Sequence, residues 1–204
     1  GLTETSPVIA CENDKYRSPG SVGFPLSCEE VKISNPDQKG NGEILVKGPN
    51  VMLGYYENEE ATREILEDGW LHTGDLGRFD KKGFLYITGR IKDMIVLDNG
   101  KKVFPHEIET LLNNSDLITE SFVYAKRENK NLKLGVKLVY EEDNELLKNK
   151  TRDEIFNLLD AEVRKVNNEI PKYKHIQYVT ITTTPLIKTT TQKIKRFEEM
   201  KHID

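Results

Sequence analysis

Three stretches of this chain carry residue types suited to holding a nucleotide. Gly1-Leu2-Thr3-Glu4-Thr5 sets a hydroxyl beside a carboxylate. Thr3 offers its hydroxyl to a phosphate oxygen, and Glu4 offers the hard oxygen ligands that Mg2+ prefers. Trp70-Leu71-His72-Thr73-Gly74-Asp75-Leu76 presents Asp75 at the expected start of a strand. A carboxylate so placed can accept from both hydroxyls of a ribose, as the acidic residue of dinucleotide folds does. Gly89-Arg90 adds a planar guanidinium that suits a diol or phosphate oxygens. The late run from Lys188 to Lys193 offers Lys193, a compact charge on a long flexible stem. Each feature alone reads equally as surface: Thr3-Glu4 as an exposed turn, Asp75 as a turn cap, Arg90 as a weak ion pair. His72 and Asp75 make a poor acid–base pair, since no nucleophile or third partner is placed with them.

The elements that must position these residues follow from periodicity. Val22–Pro25, Glu30–Ile33 and Glu43–Lys47 are short apolar or alternating runs between Gly, Pro, Asn and Asp clusters, which predicts a small β-barrel or curled sheet. Asn58 can cap a helix over 57–66. Leu76–Phe79 and Phe84–Thr88 flank an Asp80–Gly83 turn as a hairpin. A second hairpin joins Met94–Leu97 to Lys102–Phe104, and its Asn99-Gly100 pair favours a type I′ turn. Pro105 can open a helix carrying Ile108, Leu111 and Leu112. Ile118–Ala125 and Leu132–Tyr140 read as strands, and Thr151 with Glu154 as a capping box opening a long amphipathic helix that Pro171 ends. Ile176–Thr182 is a further strand, 183–192 a threonine-rich loop, and 194–201 a short helix. The expected order after residue 93 is β-β-α-β-β-α-β-α, a compact α+β unit.

Composition narrows the function. The chain has 204 residues, with 30 basic and 34 acidic side chains and a net charge of −4. That length allows one generous domain or two small ones. The balance gives no electrostatic reason to propose nucleic acid. The cluster Lys126, Arg127, Lys130, Lys133 is read as a solvated turn. Cys11 and Cys28 lack metal-ligand spacing and are read as free thiols of a reducing compartment. No leader is visible, and no run approaches the roughly 18 apolar residues of a membrane span. The expected location is cytoplasmic, with peripheral membrane association compatible.

Taken in order, the words form one pattern. They are Gly1-x-Thr3-Glu4, Gly42-Glu43-Ile44 with Gly48 and Gly54-Tyr55, and Thr73-Gly74-Asp75. Then come Gly89-Arg90-x-Lys92-Asp93, Asn99-Gly100, Pro105-x-Glu107-Ile108-Glu109, and Lys188-Thr-x-Thr-x-Lys193. This resembles the AMP-forming acyl-CoA synthetases, the adenylate-forming enzymes. The run from Asp93 to Glu109 is most similar to their long-chain fatty acid ligases. The resemblance covers nearly the whole chain. It implies an α+β fold in which 1–90 is the β-rich, barrel-like end of a large adenylation domain and 91–204 is a mobile lid.

The resemblance also implies chemistry. A carboxylate, here expected to be a fatty acid, attacks the α-phosphate of ATP to give an acyl-adenylate, and coenzyme A then displaces AMP. Lys193 takes the role of the catalytic lysine. Thr3, Asp75 and Arg90 bind the nucleotide, Glu4 holds Mg2+, Lys92 is the hinge between the half-reactions, and Gly100 lets the pantetheine arm pass. One departure stands out: the family usually has glycine before its lysine, and here Gln192 occupies that position. The first word lies deep inside family chains. The chain is therefore expected to be a C-terminal portion, with the phosphate loop and acyl pocket in a missing N-terminal part. Alone it is expected not to make adenylate. Two alternatives compete. One keeps adenylation but loads a carrier-protein pantetheine; the other is a non-catalytic binding module derived from the lid, which would have no need of Lys193.

Overall fold

The computed structural model describes residues 1–128, 131–190 and 192–203. Two compact units emerge, Gly1–Asp93 and Met94–Asp204. In the first, a 3-10 turn over Thr3–Thr5 precedes β1 (Ala10–Cys11), β2 (Phe24–Pro25), β3 (Glu30–Ser34) and β4 (Gly42–Lys47). Helix α1 (Glu59–Ile65) follows, then β5 (Leu66–Glu67), β6 (Trp70–Phe79), β7 (Leu85–Arg90) and a 3-10 turn over Ile91–Asp93. Asn58 caps α1 by accepting from the Ala61 amide at 3.0 Å.

The main sheet runs β3-β4-β6, and the far edge of β6 is shared by two partners. Strand β5 pairs with Trp70 and Leu71, whereas β7 pairs from Asp75 onward. His72, Thr73 and Gly74 fall where one partner ends and the next begins. This sheet does not close, so the barrel-like expectation is corrected to an open sheet, antiparallel throughout. Its strand order is linear, and β3 forms a free edge instead of joining β7. Ile9, Ile44, Val46 and Leu85 form its core, with Leu2, Val22, Ile33 and Phe79 packed around them. The sole tryptophan, Trp70, lies under two cations, with Lys32 Nζ 3.7 Å and Lys47 Nζ 5.8 Å from the ring centroid.

The second unit realises the expected order: β8 (Ile95–Val96), β9 (Lys102–Val103), α2 (Pro105–Leu112), β10 (Glu120–Glu128), β11 (Asn131–Val139), α3 (Arg152–Glu169), β12 (Ile176–Thr182) and α4 (Arg196–Met200). β10 and β11 are antiparallel, and β12 lies parallel to β11. A parallel pair needs a long crossover, and α3 supplies it. Its capping box is present: Thr151 Oγ1 accepts from the Glu154 amide, and Glu154 accepts from Thr151 N at 2.7 Å.

Strand alternation gives this sheet two buried faces. Val123, Leu134, Val136 and Leu138 join Ile108, Leu112, Ile155 and Leu159 in the larger core. Phe122, Tyr124 and Val139 look the other way and are covered by Leu186, Ile194 and Ile203. The chain after β12 is therefore a lid over one sheet face. Gly135 makes that face fit, since a Cβ there would lie 2.6 Å from the Tyr124 ring.

The turn after β8 differs from its expected type. Among the described residues of the Asp98–Gly100 connection, only Gly100 has positive φ, at 75°. The Gly100 amide donates to Leu97 O at 2.8 Å and the Leu97 amide to Lys101 O at 2.9 Å. The connection has three residues rather than two, which replaces type I′ by a turn ending on one left-handed glycine. Of the basic cluster, Lys130 lies outside the described residues. Lys133 pairs with Glu128 at 2.5 Å and Arg127 with Asp98 at 3.4 Å, consistent with solvated ion pairs.

Candidate functional site

The Thr73-Gly74-Asp75 word is a bulge. Glu43 pairs with Leu76 and Leu45 with His72, so three residues of β6 stand opposite Ile44 alone. An insertion of this kind bends the strand and re-aims its side chains. Asp75 is therefore in the interior of β6, not at a strand start as expected from the sequence. Gly74 takes the bend at φ 68°. Thr73 is buried, and its hydroxyl donates to Ile44 O at 2.7 Å while accepting from the Asp75 amide at 3.1 Å. Those two bonds satisfy groups that the missing ladder contact would leave bare.

The bulge brings two predicted site residues together. Asp75 faces Arg90 at the last register position of β7, and Arg90 Nε donates to Asp75 Oδ1 at 2.9 Å. The carboxylate is 18% exposed and the guanidinium 44%. The guanidinium fixes the orientation of the carboxylate, which suits an acceptor for a diol. His72 is committed elsewhere: Nδ1 lies 2.9 Å from Glu43 Oε2 and Nε2 3.6 Å from Glu67 Oε2.

Thr3 and Glu4 lie on the first 3-10 turn. Glu4 Oε1 accepts from the Tyr55 hydroxyl at 2.8 Å, and this bond raises the pKa of the Tyr55 phenol. Among the described residues, no group of three or more His, Cys, Asp or Glu could hold a metal by itself. One partly exposed carboxylate does fit Mg2+ that already carries phosphate oxygens, because such sites need only one or two carboxylates.

Lys92 is exposed in the 3-10 turn over Ile91–Asp93. Gly100 sits at the tip of the β8–β9 hairpin. A Cβ there would meet nothing within 4 Å, so its constraint inside this unit is conformational.

Lys193 is exposed on a tight turn that begins at Lys188, with Thr191 outside the described residues. The Thr189 amide donates to Lys193 O at 2.8 Å, and Lys193 N donates to Thr189 Oγ1 at 3.1 Å. Three carboxylates fasten the flanks of this turn to the sheet. Glu120 accepts from the Leu186 amide at 3.0 Å and pairs with Lys188. Glu199, 1% exposed, accepts from the Ile187 amide at 2.6 Å and pairs with Lys137 at 3.0 Å. Glu109, 4% exposed, takes Arg196 in a fork at 2.9 and 3.2 Å and the Val123 amide at 2.8 Å. Arg196 also lies 4.8 Å from the Phe122 ring centroid. Among the described residues, Lys193 makes no ion pair. These supports had no role in the sequence reading. The available signal was Glu109 one residue after Ile108, a carboxylate facing inward beside a helix's apolar stripe.

Known proteins resemble this chain along its length. A family model described as "AMP-binding enzyme" matches residues 1–56, and one described as "AMP-binding enzyme C-terminal domain" matches 92–202. A 2-succinylbenzoate–CoA ligase of Bacillus cytotoxicus is 42% identical over 134 residues, covering 63% of this chain and 28% of that protein. A long-chain-fatty-acid–CoA ligase of Salmonella typhimurium is 44% identical over 118 residues, 55% of this chain and 21% of its own. O-succinylbenzoate coenzyme A synthetase from Bacillus subtilis, solved in complex with AMP, superposes with a TM-score of 0.77 at 30% identity over 97% of this chain and 39% of its own. Its structure in complex with ATP and magnesium ion gives 0.78 at 29%, over 97% and 40%. The chain thus spans less than a third of the length of these two ligases of known sequence.

Proposed function

Because the chain belongs to the AMP-binding enzyme family, we propose that it forms the C-terminal portion of an ATP-dependent acyl-CoA ligase. The observation that carries this reading is the exposed Lys193 ammonium, without an ion pair among the described residues, on a turn fastened by three carboxylates. In the first half-reaction a carboxylate oxygen attacks the α-phosphorus and pyrophosphate leaves. Lys193 then contributes positive charge against the carboxylate and α-phosphate oxygens, in an orientation set before substrate arrives. Asp75, held by Arg90, accepts from the ribose hydroxyls, and Thr3 donates to a phosphate oxygen. Glu4 is the residue that would hold Mg2+, which offsets phosphate charge when bound. In the second half-reaction the coenzyme A thiolate attacks the acyl carbonyl and AMP leaves. The β8–β9 hairpin with Gly100 serves that step, and Lys92 is the hinge between the two poses. Residues 1–90 are then the end of the large domain and 91–204 the lid, the compact units dividing after Asp93.

The acyl substrate is read first as a long-chain fatty acid, supported by the 44% identity to the Salmonella ligase. A second reading, an aromatic acid such as 2-succinylbenzoate, is favoured by the Bacillus relatives. Thioester formation with palmitate and with 2-succinylbenzoate separates them.

The role of Lys193 is tested in the enzyme that contains this chain. Lys193→Ala is expected to lower ATP–pyrophosphate exchange by about two to three orders of magnitude. Thioester formation from supplied acyl-adenylate should persist. Equal loss of both half-reactions refutes the role.

A further inference from the structure

The Gly42-Glu43-Ile44 word has no role in the reaction described so far, yet Glu43 touches the bulge on both sides of Thr73. Its Oε1 accepts from the Gly74 amide at 3.1 Å, and its Oε2 lies 2.9 Å from His72 Nδ1. The carboxylate is 19% exposed. We propose that Glu43 is a positioning residue for nucleotide binding: it clamps the Thr73–Asp75 bulge to β4 and so sets the aim of Asp75.

The argument is one of unmet ladder contacts. Opposite Ile44 the strands are out of register, and on the far edge β5 has ended before β7 begins. The backbone of Thr73 and Gly74 therefore lacks a paired strand on either side. Thr73 satisfies Ile44 O and the Asp75 amide but leaves the Gly74 amide to another acceptor. Glu43 is that acceptor. A left-handed glycine between two side-chain clamps is the softest point of β6, because glycine surrenders the most conformational freedom on folding. Without the Glu43 bond the Gly74 peptide can turn, and the Asp75 carboxylate turns with it. His72, with Nδ1 2.9 Å from Oε2, keeps Glu43 from rotating into solvent.

This proposal rests on the reading of Asp75 as a ribose contact, so the test separates the two. In the enzyme that contains this chain, ATP affinity is measured for Glu43→Ala, Glu43→Gln and Asp75→Asn. Hydrogen exchange of the peptide covering 70–79 is measured on the same proteins without nucleotide. Glu43→Ala is expected to weaken ATP binding about tenfold, the scale of one lost hydrogen bond to a charged acceptor. It should also speed exchange within 72–75 while 76–79 stay protected. Glu43→Gln is expected to restore most of both. Its amide oxygen still accepts from Gly74, and its amide nitrogen can donate to the other tautomer of His72. Unchanged exchange in Glu43→Ala overturns the clamp. Faster exchange with unchanged ATP affinity, where Asp75→Asn does weaken binding, overturns the positioning role. Unchanged affinity in Asp75→Asn removes the ribose reading itself and the positioning role with it, while exchange still reports the clamp.

Discussion

Gln192 shows why one side chain can depart from a family pattern without breaking it. The residue before Lys193 sits at φ 62°, in the left-handed region. Glycine enters that region freely, whereas a side chain costs about 1–2 kcal/mol there. The glycine that the resemblance implies for this position would meet the same backbone demand at lower cost. Gln192→Gly is expected to stabilise the protein by about 0.5–1 kcal/mol, after glycine's own entropy loss is subtracted. A denaturant midpoint unchanged or lowered would contradict this. Arg196 is the opposite kind of residue. Its side chain is 21% exposed and the side chain of its partner Glu109 6%, so truncation strands a buried carboxylate. Arg196→Ala should cost about 3 kcal/mol in equilibrium unfolding. A loss below about 1 kcal/mol would mean that solvent screens the pair.

Elements were legible in the sequence where local chemistry fixes them. The Thr151–Glu154 capping box, the Asn58 cap and Pro105 at a helix start all name boundaries by hydrogen-bonding rules that act within one turn. The bulge at Thr73–Asp75 was not legible. Thr-Gly-Asp reads as a turn until the register of β4 against β6 shows three residues opposite one. Pairing across about 30 residues of sequence carries no local signal, and neither do the ion pairs that hold Lys193, where Glu109 and Arg196 are 87 positions apart. The proposed hinge is the element whose role can be forced. Ile91–Asp93 forms a 3-10 turn, and proline at 92 would push Ile91 out of the helical region. Lys92→Pro is expected to keep adenylation and lose thioester formation. Both half-reactions near wild-type rates in that mutant would reduce the 3-10 turn to a connector.

At the scale of the molecule, the candidate nucleotide contacts Thr3, Glu4, Asp75 and Arg90 all belong to the first unit, and Lys193 to the second. Four polar side chains supply orientation more than affinity. The 204-residue chain is therefore expected to bind ATP with Mg2+ more weakly than micromolar by calorimetry. Micromolar affinity would mean that these residues suffice for a nucleotide site, against their reading as part of a larger one.

Trp70 gives this chain a built-in optical reporter. It is the single indole of the sequence, and it lies on β6 just ahead of Leu71, under the Lys32 and Lys47 ammonium groups. A cation over an indole perturbs its emission, and the contact disappears when the strand does. Indole fluorescence, excited where tyrosine does not absorb, therefore reports the first unit alone. Far-ultraviolet dichroism is weighted toward the second, where the 18-residue α3 dominates the helix content. Two probes tracing separate melting curves would establish independent cooperative blocks, and coincident curves would establish one.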